Sequence, residues 1–318
     1  MAENVLDTEN GRITESHETV DGSSAPPPHD AGNGARPALA RTDPASGGRP
    51  GGAVLLSRLL HFADTVWRPA LILLAVLGIW WFVTARGMVS NFLVPSPVEV
   101  YQTMTEQWPQ LLRHSGVTLL ETVLGFLIAC ALGLAVAVAI AYSRTLDKAL
   151  YPLVLFAQVI PKIAIAPVLL IWLGTELAPK IVLATLISFF PVVISGVTGL
   201  RSTDPELLDL SSTMGASRWN TFRKIRFPNA LPHLMAGVKV AVTLAVVGAV
   251  VGEFAGGSDG LGHVLQSANG NLDAPLLFAV LILMSVIGIL LFVLVEAAEA
   301  LLIPWHASRR ADIRLTTS

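Results

Sequence analysis

STDPELLDLSSTMGASRWNTFRKIRFP, residues 202–228, is a polar insert between two strongly apolar stretches, and its reading decides the fold. Asp204-Pro205-Glu206 is a strong helix start. Aspartate caps the first amides, proline fits the first helical position, and glutamate favours the positive end of the helix dipole. The spacing predicts a helix from Pro205 to Met214, with Gly215 permitting a left-handed termination. Ser217 then caps a second short helix through Trp219 and Phe222 to Ile225, which Pro228 is expected to end. The pair forms a helix–turn–helix on a membrane face, with Leu207, Leu208, Met214, Trp219 and Phe222 available for packing. Arg223, Lys224 and Arg226 suit an anionic headgroup surface. Two readings stand side by side: a unit that docks onto a partner, and an amphipathic loop that rests on lipid.

The flanks of this insert set the class of protein. The 318 residues are 53% hydrophobic and 14% charged, with a mean hydropathy of +0.63. Soluble domains carry about 25% charged residues, so the chain reads as an all-α integral membrane protein. A net charge of -2 points to no nucleic-acid partner. The single cysteine, Cys130, excludes a disulfide within the chain and reads as a small packing residue in an apolar run. The seven histidines lack metal-ligand spacing, so no metal site is expected.

Residues 1–52 are rich in Gly, Pro, Ser, Asp and Glu and contain Pro26-Pro27-Pro28. Eight acidic residues stand against four arginines there. Such a segment cannot bury enough apolar surface to offset its ordering entropy, so a disordered cytoplasmic tail is expected. It lacks the basic-then-apolar pattern of a signal peptide, so the first apolar stretch is expected to remain as an anchor.

Crossing the hydrocarbon core takes about 20 mostly apolar residues. Within a membrane domain over 53–318, six stretches qualify: roughly 69–86, 117–142, 150–173, 180–200, 232–255 and 275–303. With the N-terminus inside, the cytoplasmic segments hold ten Lys or Arg (Arg144, Lys148, Arg201, Arg218, Arg223, Lys224, Arg226, Arg309, Arg310, Arg314). The opposite side holds three, Arg86, Arg113 and Lys180. This bias predicts cytoplasmic termini and a cytoplasmic insert.

Ser96-Pro97-Val98-Glu99 has the pattern of a capping box and predicts a short surface helix to about Trp108. Gly256-Gly-Ser-Asp-Gly-Leu-Gly262 reads as a flexible turn, with a gate or a receptor-contact loop as the other reading. Charges inside spans are costly and are functional candidates by default. Lys162, with Gln158 one turn earlier, is either a pathway cation for an anionic solute or a lysine satisfying carbonyls freed near Pro161 and Pro167. Glu121 and Glu253 lie near outer span ends; both are candidates for structural pairing, Glu121 with Arg113 or a neighbouring helix, and Glu253 is also a pathway candidate. Glu296 and Glu299 share a helix face near the inner end of the last span; one reading is a paired carboxylate site, the other interfacial anchoring or pairing with basic loop residues. Gly125, Ala129 and Gly133 form a face for close helix approach.

The insert resembles the cytoplasmic loop of permease subunits of bacterial ATP-binding-cassette importers. That loop has the form Glu-Ala-Ala, three residues, Gly, nine residues, Ile-x-Leu-Pro. Here the glycine falls on Gly215, the isoleucine on Ile225 and the proline on Pro228, while Phe227 takes the leucine position. The opening triplet is Asp209-Leu210-Ser211, which keeps only the acid. Leu93-Val-Pro-Ser-Pro97, Pro161-Lys-Ile-Ala-Ile-Ala-Pro167, Trp172-Leu-Gly174 and Gly215-Ala-Ser217 extend the resemblance to the nitrate/sulfonate/taurine type, over about residues 69–306.

The resemblance implies a permease paired with a second copy in the bilayer of a bacterial inner membrane. The segment 203–228, with Asp204, Asp209, Gly215, Ala216, Ser217, Ile225, Phe227 and Pro228, would be its coupling unit, seated in a cytoplasmic ATPase. The chain has no Gly-x4-Gly-Lys-Ser/Thr of its own, so ATP-Mg would bind the partner ATPase and no cofactor or catalytic residue is expected here. Solute, a sulfonate-, taurine- or nitrate-like anion or a vitamin precursor, would arrive on an extracytoplasmic binding protein. The competing classes are an ion-coupled secondary transporter or channel, and a membrane-anchored scaffold. An ion-coupled carrier would show repeats or broken helices with midplane ligands, neither of which the sequence displays.

Overall fold

A computed structural model of the chain describes Trp67 and residues 71–90 and 92–303. The tail expected over 1–52, and Arg309, Arg310 and Arg314, lie outside the described residues. Regular structure among the described residues is helical throughout.

Apolar α1 (Leu71–Ala85) comes first. It is tied to the next segment by Trp80 Nε1, which donates to the Pro95 carbonyl at 3.0 Å. Helix α2 (Pro97–Glu106) opens with the capping box: Ser96 Oγ accepts from the Glu99 amide, and Glu99 Oε2 accepts from the Ser96 amide at 2.9 Å. Helix α3 (Trp108–Tyr142) then crosses the bundle. Helices α4 (Arg144–Val159) and α5 (Ala166–Leu173) follow, separated by a short tight turn over Lys162–Ile165. Next come α6 (Leu177–Arg201), α7 (Pro205–Thr213), α8 (Arg218–Thr221) and α9 (Phe227–Gly256), with a wide π turn over Phe222–Arg226 joining the last two. Helices α10 (Leu261–Gly270) and α11 (Ala274–Leu302) complete the chain.

Four of these units are long and apolar enough to span a bilayer: Trp108–Tyr142, Leu177–Arg201, Arg218–Gly256 and Ala274–Leu302. The stretch expected as one span over 150–173 is instead a pair of helices, Arg144–Val159 and Lys162–Leu173, bent by 84°. Proline at 161 accounts for the break. It disfavours a helical conformation in the residue before it, and Ile160 is extended, with ψ 131°. Counting the pair as one gives five spans, and the first expected stretch is present as the shorter α1.

Helix α6 sits at the centre, packed most extensively against α9 and next against α3. Small residues let the backbones close in. Gly125, Ala129 and Gly133 of α3 are buried, and a Cβ on Gly133 would meet Val192 at 2.9 Å. From the other side, a Cβ on Gly248 of α9 would come within 2.6 Å of the Ala184 Cα. Leu261 and Val264 of α10 enter an apolar cluster with Leu111, Val242, Val280 and Met284, so α10 is anchored between α3, α9 and α11. The two carboxylates expected to share a face on α11 meet a cation there: Lys239 of α9 pairs with Glu299, and with Glu296 at 4.0 Å.

A second expectation is corrected by the fold. Pro228 does not end the second insert helix, which runs on from Arg218 to Gly256. The Phe227 amide donates to the Phe222 carbonyl, five residues back. This widened turn reorganises the ladder where proline has no N–H to give, and Pro228 becomes a first-turn residue of α9.

Candidate functional site

The insert lies at one end of the bundle, where α6 leaves and α9 enters. Its local geometry follows from its caps. Asp204 Oδ1 accepts from the Glu206 amide at 2.9 Å and starts α7. At the other end of α7 the Ala216 amide donates to Ser211 O and the Gly215 amide to Ser212 O, both at 3.0 Å. These two bonds make a Schellman termination, which needs a left-handed residue, and Gly215 supplies it with φ +73°. Ser217 Oγ then accepts from the Asn220 amide and opens α8. The expected residues Gly215, Ala216 and Ser217 thus act together in one backbone turn, while Asp204 caps the opposite end of α7. Asp209 projects from α7 into solvent, while Ile225, Phe227 and Pro228 are half-buried around the π turn.

The insert has an inner and an outer face. Ser211 is buried, 3.3 Å from Thr221 across the two helices, and Phe222 packs edge-on against Tyr142 of α3. Leu207, Leu210, Met214 and Trp219 point outward, Met214 being 78% and Trp219 67% exposed. Beneath the insert is a cavity of about 490 Å³ whose walls include Arg144, Arg201, Arg218 and Arg226, with Asp147 paired to Arg201.

The pathway candidates do not converge. Lys162 sits in the α4–α5 break, where Nζ donates to the Gln158 carbonyl at 2.6 Å and lies 4.6 Å from the Phe190 ring centre. It thus meets a carbonyl that the break at Pro161 has left without its helical partner. Gln158 joins it through the main chain, and its side chain is exposed.

Glu253 belongs to another cluster, at the end of the bundle opposite the insert. It is completely buried, accepting from the Thr118 hydroxyl and from the Gly262 amide, both at 2.6 Å. Lys180, 2% exposed, places Nζ 3.1 Å from Oε1 of the fully buried Glu121. The contact is a buried ion pair, and Glu121 also lies beside Glu253. Arg113, weighed as a partner for Glu121, pairs instead with Asp259 at 2.6 Å.

This cluster holds the glycine-rich segment that reads as a flexible turn in the sequence. Gly260 donates its amide to His114 Nδ1 at 3.1 Å, Leu261 to Thr118 Oγ1 at 2.8 Å, and Gly262 to Glu253. Lys180 Nζ donates to the Asp259 carbonyl at 3.1 Å. The loop is therefore held by side chains from α3, α6 and α9 and is not a free turn. Its missed partners had one signal, Lys180 standing only three residues inside an apolar helix.

The comparisons with known proteins fit this architecture. Residues 129–305 match the binding-protein-dependent transport system inner membrane component. A probable ABC transporter permease protein of Haemophilus influenzae is 38% identical over 225 residues, 71% of this chain and 92% of that protein. The chain belongs to this permease family.

Further relatives are the formylaminopyrimidine transport permease protein ThiX of Halalkalibacterium halodurans and the riboflavin transport system permease protein RibX of Chloroflexus aurantiacus. The first is 33% identical over 75% of this chain and 95% of its own length. The second is 37% identical over 68% and 82%. In fold, the chain is similar to a subunit of the inward-facing MetNI methionine ABC transporter, with a TM-score of 0.56 at 21% identity over 62% of this chain and 98% of that one. The permease is thus a multi-pass subunit of an ATP-driven importer, and it works with an ATPase and a binding protein.

Proposed function

We propose that the insert of this permease, residues 203–228, faces the cytoplasm and seats in a groove of the ATPase subunit. The observation behind this reading is its outward apolar face, Leu207, Leu210, Met214 and Trp219, held on two capped helices at the end of α6 and α9. Exposed apolar patches of that kind mark contact sites. The Arg and Lys bias around it supports the cytoplasmic side.

In this arrangement ATP-Mg binds and is hydrolysed on the partner, and α7 and α8 transmit the movement of the ATPase pair. Closure of the pair opens the pathway outward to a solute-loaded binding protein, and product release returns it inward. A second copy of the permease completes the pathway. The exposed apolar residues Phe156, Val159, Ile171 and Trp172 on the bent pair α4–α5 offer surface for that copy and for lipid. The solute is a small polar molecule, a vitamin precursor or a sulfonate-like anion. The relatives named for formylaminopyrimidine and riboflavin support the first of these. Lys162 in the α4–α5 break is the cation we assign to the pathway, with Gln158 beside it.

Copurification tests the docking. The ATPase subunit should come down with the wild-type permease and be lost with Gly215→Val. Retention of the ATPase by that variant, with uptake intact, would refute the assignment of the insert.

A further inference from the structure

The two helices that bracket the insert also hold the loop at the opposite end. Helix α6 begins at Leu177 and reaches the insert at Arg201, while α9 leaves it at Phe227 and ends at Gly256. At about 1.5 Å per residue each spans roughly 30 Å or more. At their far ends stand Lys180 on α6 and Glu253 on α9, with Glu121 and Thr118 on α3. Lys180, His114, Thr118 and Glu253 bind four consecutive positions of the loop, the Asp259 carbonyl and the amides of Gly260, Leu261 and Gly262, and Glu121 pairs with Lys180 behind them.

From this juxtaposition we propose that Lys180, Glu121, Glu253 and Thr118 form a positioning latch for the transport cycle. The latch holds segment 259–262 and the start of α10 in place while α6, α9 and α3 keep their present alignment, and it yields when the insert shifts α6 against α9. The close backbone fit of α6 and α9 favours this, because packed helices move as rigid units between discrete arrangements. A Cβ on Gly252 would come within 2.9 Å of the Lys180 Cα, so the two far ends cannot slide past one another without displacing the latch residues. The hydrogen bonds are specific as well. Thr118 is the shared member, donating to Glu253 and accepting from Leu261. Segment 259–262 connects directly to α10, whose Leu261 and Val264 reach the apolar cluster between α3, α9 and α11. Release of the loop therefore loosens the far end of the bundle, and the cycle on the ATPase gains a mechanical output there.

This proposal rests on the permease working with an ATPase, and its test separates the two. The complete complex of permease, ATPase and binding protein is placed in nanodiscs. Hydrogen exchange of peptides covering 258–264 is followed with and without vanadate-trapped nucleotide. In the wild type, exchange in this segment should rise at least tenfold on trapping. Thr118→Val, which preserves shape and removes both hydrogen bonds, should give fast exchange without nucleotide. It should also raise the ATP hydrolysed per solute imported several-fold, with the ATPase still bound. A purely structural role lowers hydrolysis and uptake together and leaves that ratio unchanged. The proposal is overturned by exchange that ignores trapping, or by an unchanged ratio in Thr118→Val. Loss of the ATPase from the wild-type complex would refute the function itself instead.

Discussion

Phe227 donates its backbone N–H to the carbonyl of Phe222, five residues earlier, and this single wide turn carries one helix past Pro228 from Arg218 to Gly256. The consequence is mechanical. The second half of the insert is not a separate helix resting on the membrane but the leading end of α9, so a push on α8 is a push on a span.

That continuity is testable by changing the phase of its two halves. Inserting one alanine between Pro228 and Asn229, where the helix has resumed α spacing, rotates α8 by about 100° relative to the rest of α9. The rest of α9 should stay packed, and the protein should remain monodisperse in size-exclusion chromatography. Copurification of the ATPase should fall at least tenfold.

The bend at Gly215 is limited by conformation and not by space. No atom lies within 4 Å of a Cβ built there, while φ is +73°. A left-handed conformation costs an ordinary residue about 1–2 kcal/mol, and asparagine tolerates it better. Gly215→Asn should therefore keep most ATPase binding in the same copurification assay that Gly215→Val fails.

The Asp204 cap should matter only locally. Asp204→Ala removes the bond to the Glu206 amide, worth about 1 kcal/mol. Hydrogen exchange over 205–213 should quicken, while the thermal unfolding midpoint of the bundle stays within about a degree.

The ion pair at the far end should matter globally. Lys180→Met leaves Glu121 and Glu253 buried without their cation, and breaking such a pair costs about 3–5 kcal/mol. The double variant Lys180→Met/Glu121→Met should recover much of that loss in thermal unfolding of the purified protein, because an apolar pair of similar volume replaces an ionic one.

Lys162→Ala should impair uptake and leave ATPase assembly intact. The side chain meets a freed carbonyl and an aromatic face in the α4–α5 break, away from the insert. Normal uptake by this variant would remove Lys162 from the pathway.

The features legible in the sequence were those with local causes. Asp204, Ser217 and Ser96 announce their caps because each bonds an amide two or three residues away. Gly215 announces its turn because only glycine adopts that φ without cost. Pro228 misleads, because a proline is a helix stop only when the ladder keeps its α spacing, and the π turn changes the spacing. Lys180 misleads for another reason. It stands near the start of a span, where the count of loop charges assigns it to water, and its partner Glu121 lies 59 residues earlier in the chain. The glycines of 256–262 report backbone freedom, yet the side chains that remove that freedom come from α3, α6 and α9.

The central claim is that this permease imports solute with energy from an ATPase seated on its insert. Proteoliposomes test it most directly, with permease and ATPase in the membrane, the solute-loaded binding protein on the far face and ATP supplied on the insert face. Uptake should require both ATP and the binding protein, and should vanish with Gly215→Val. Solute uptake that persists without ATP would contradict the account.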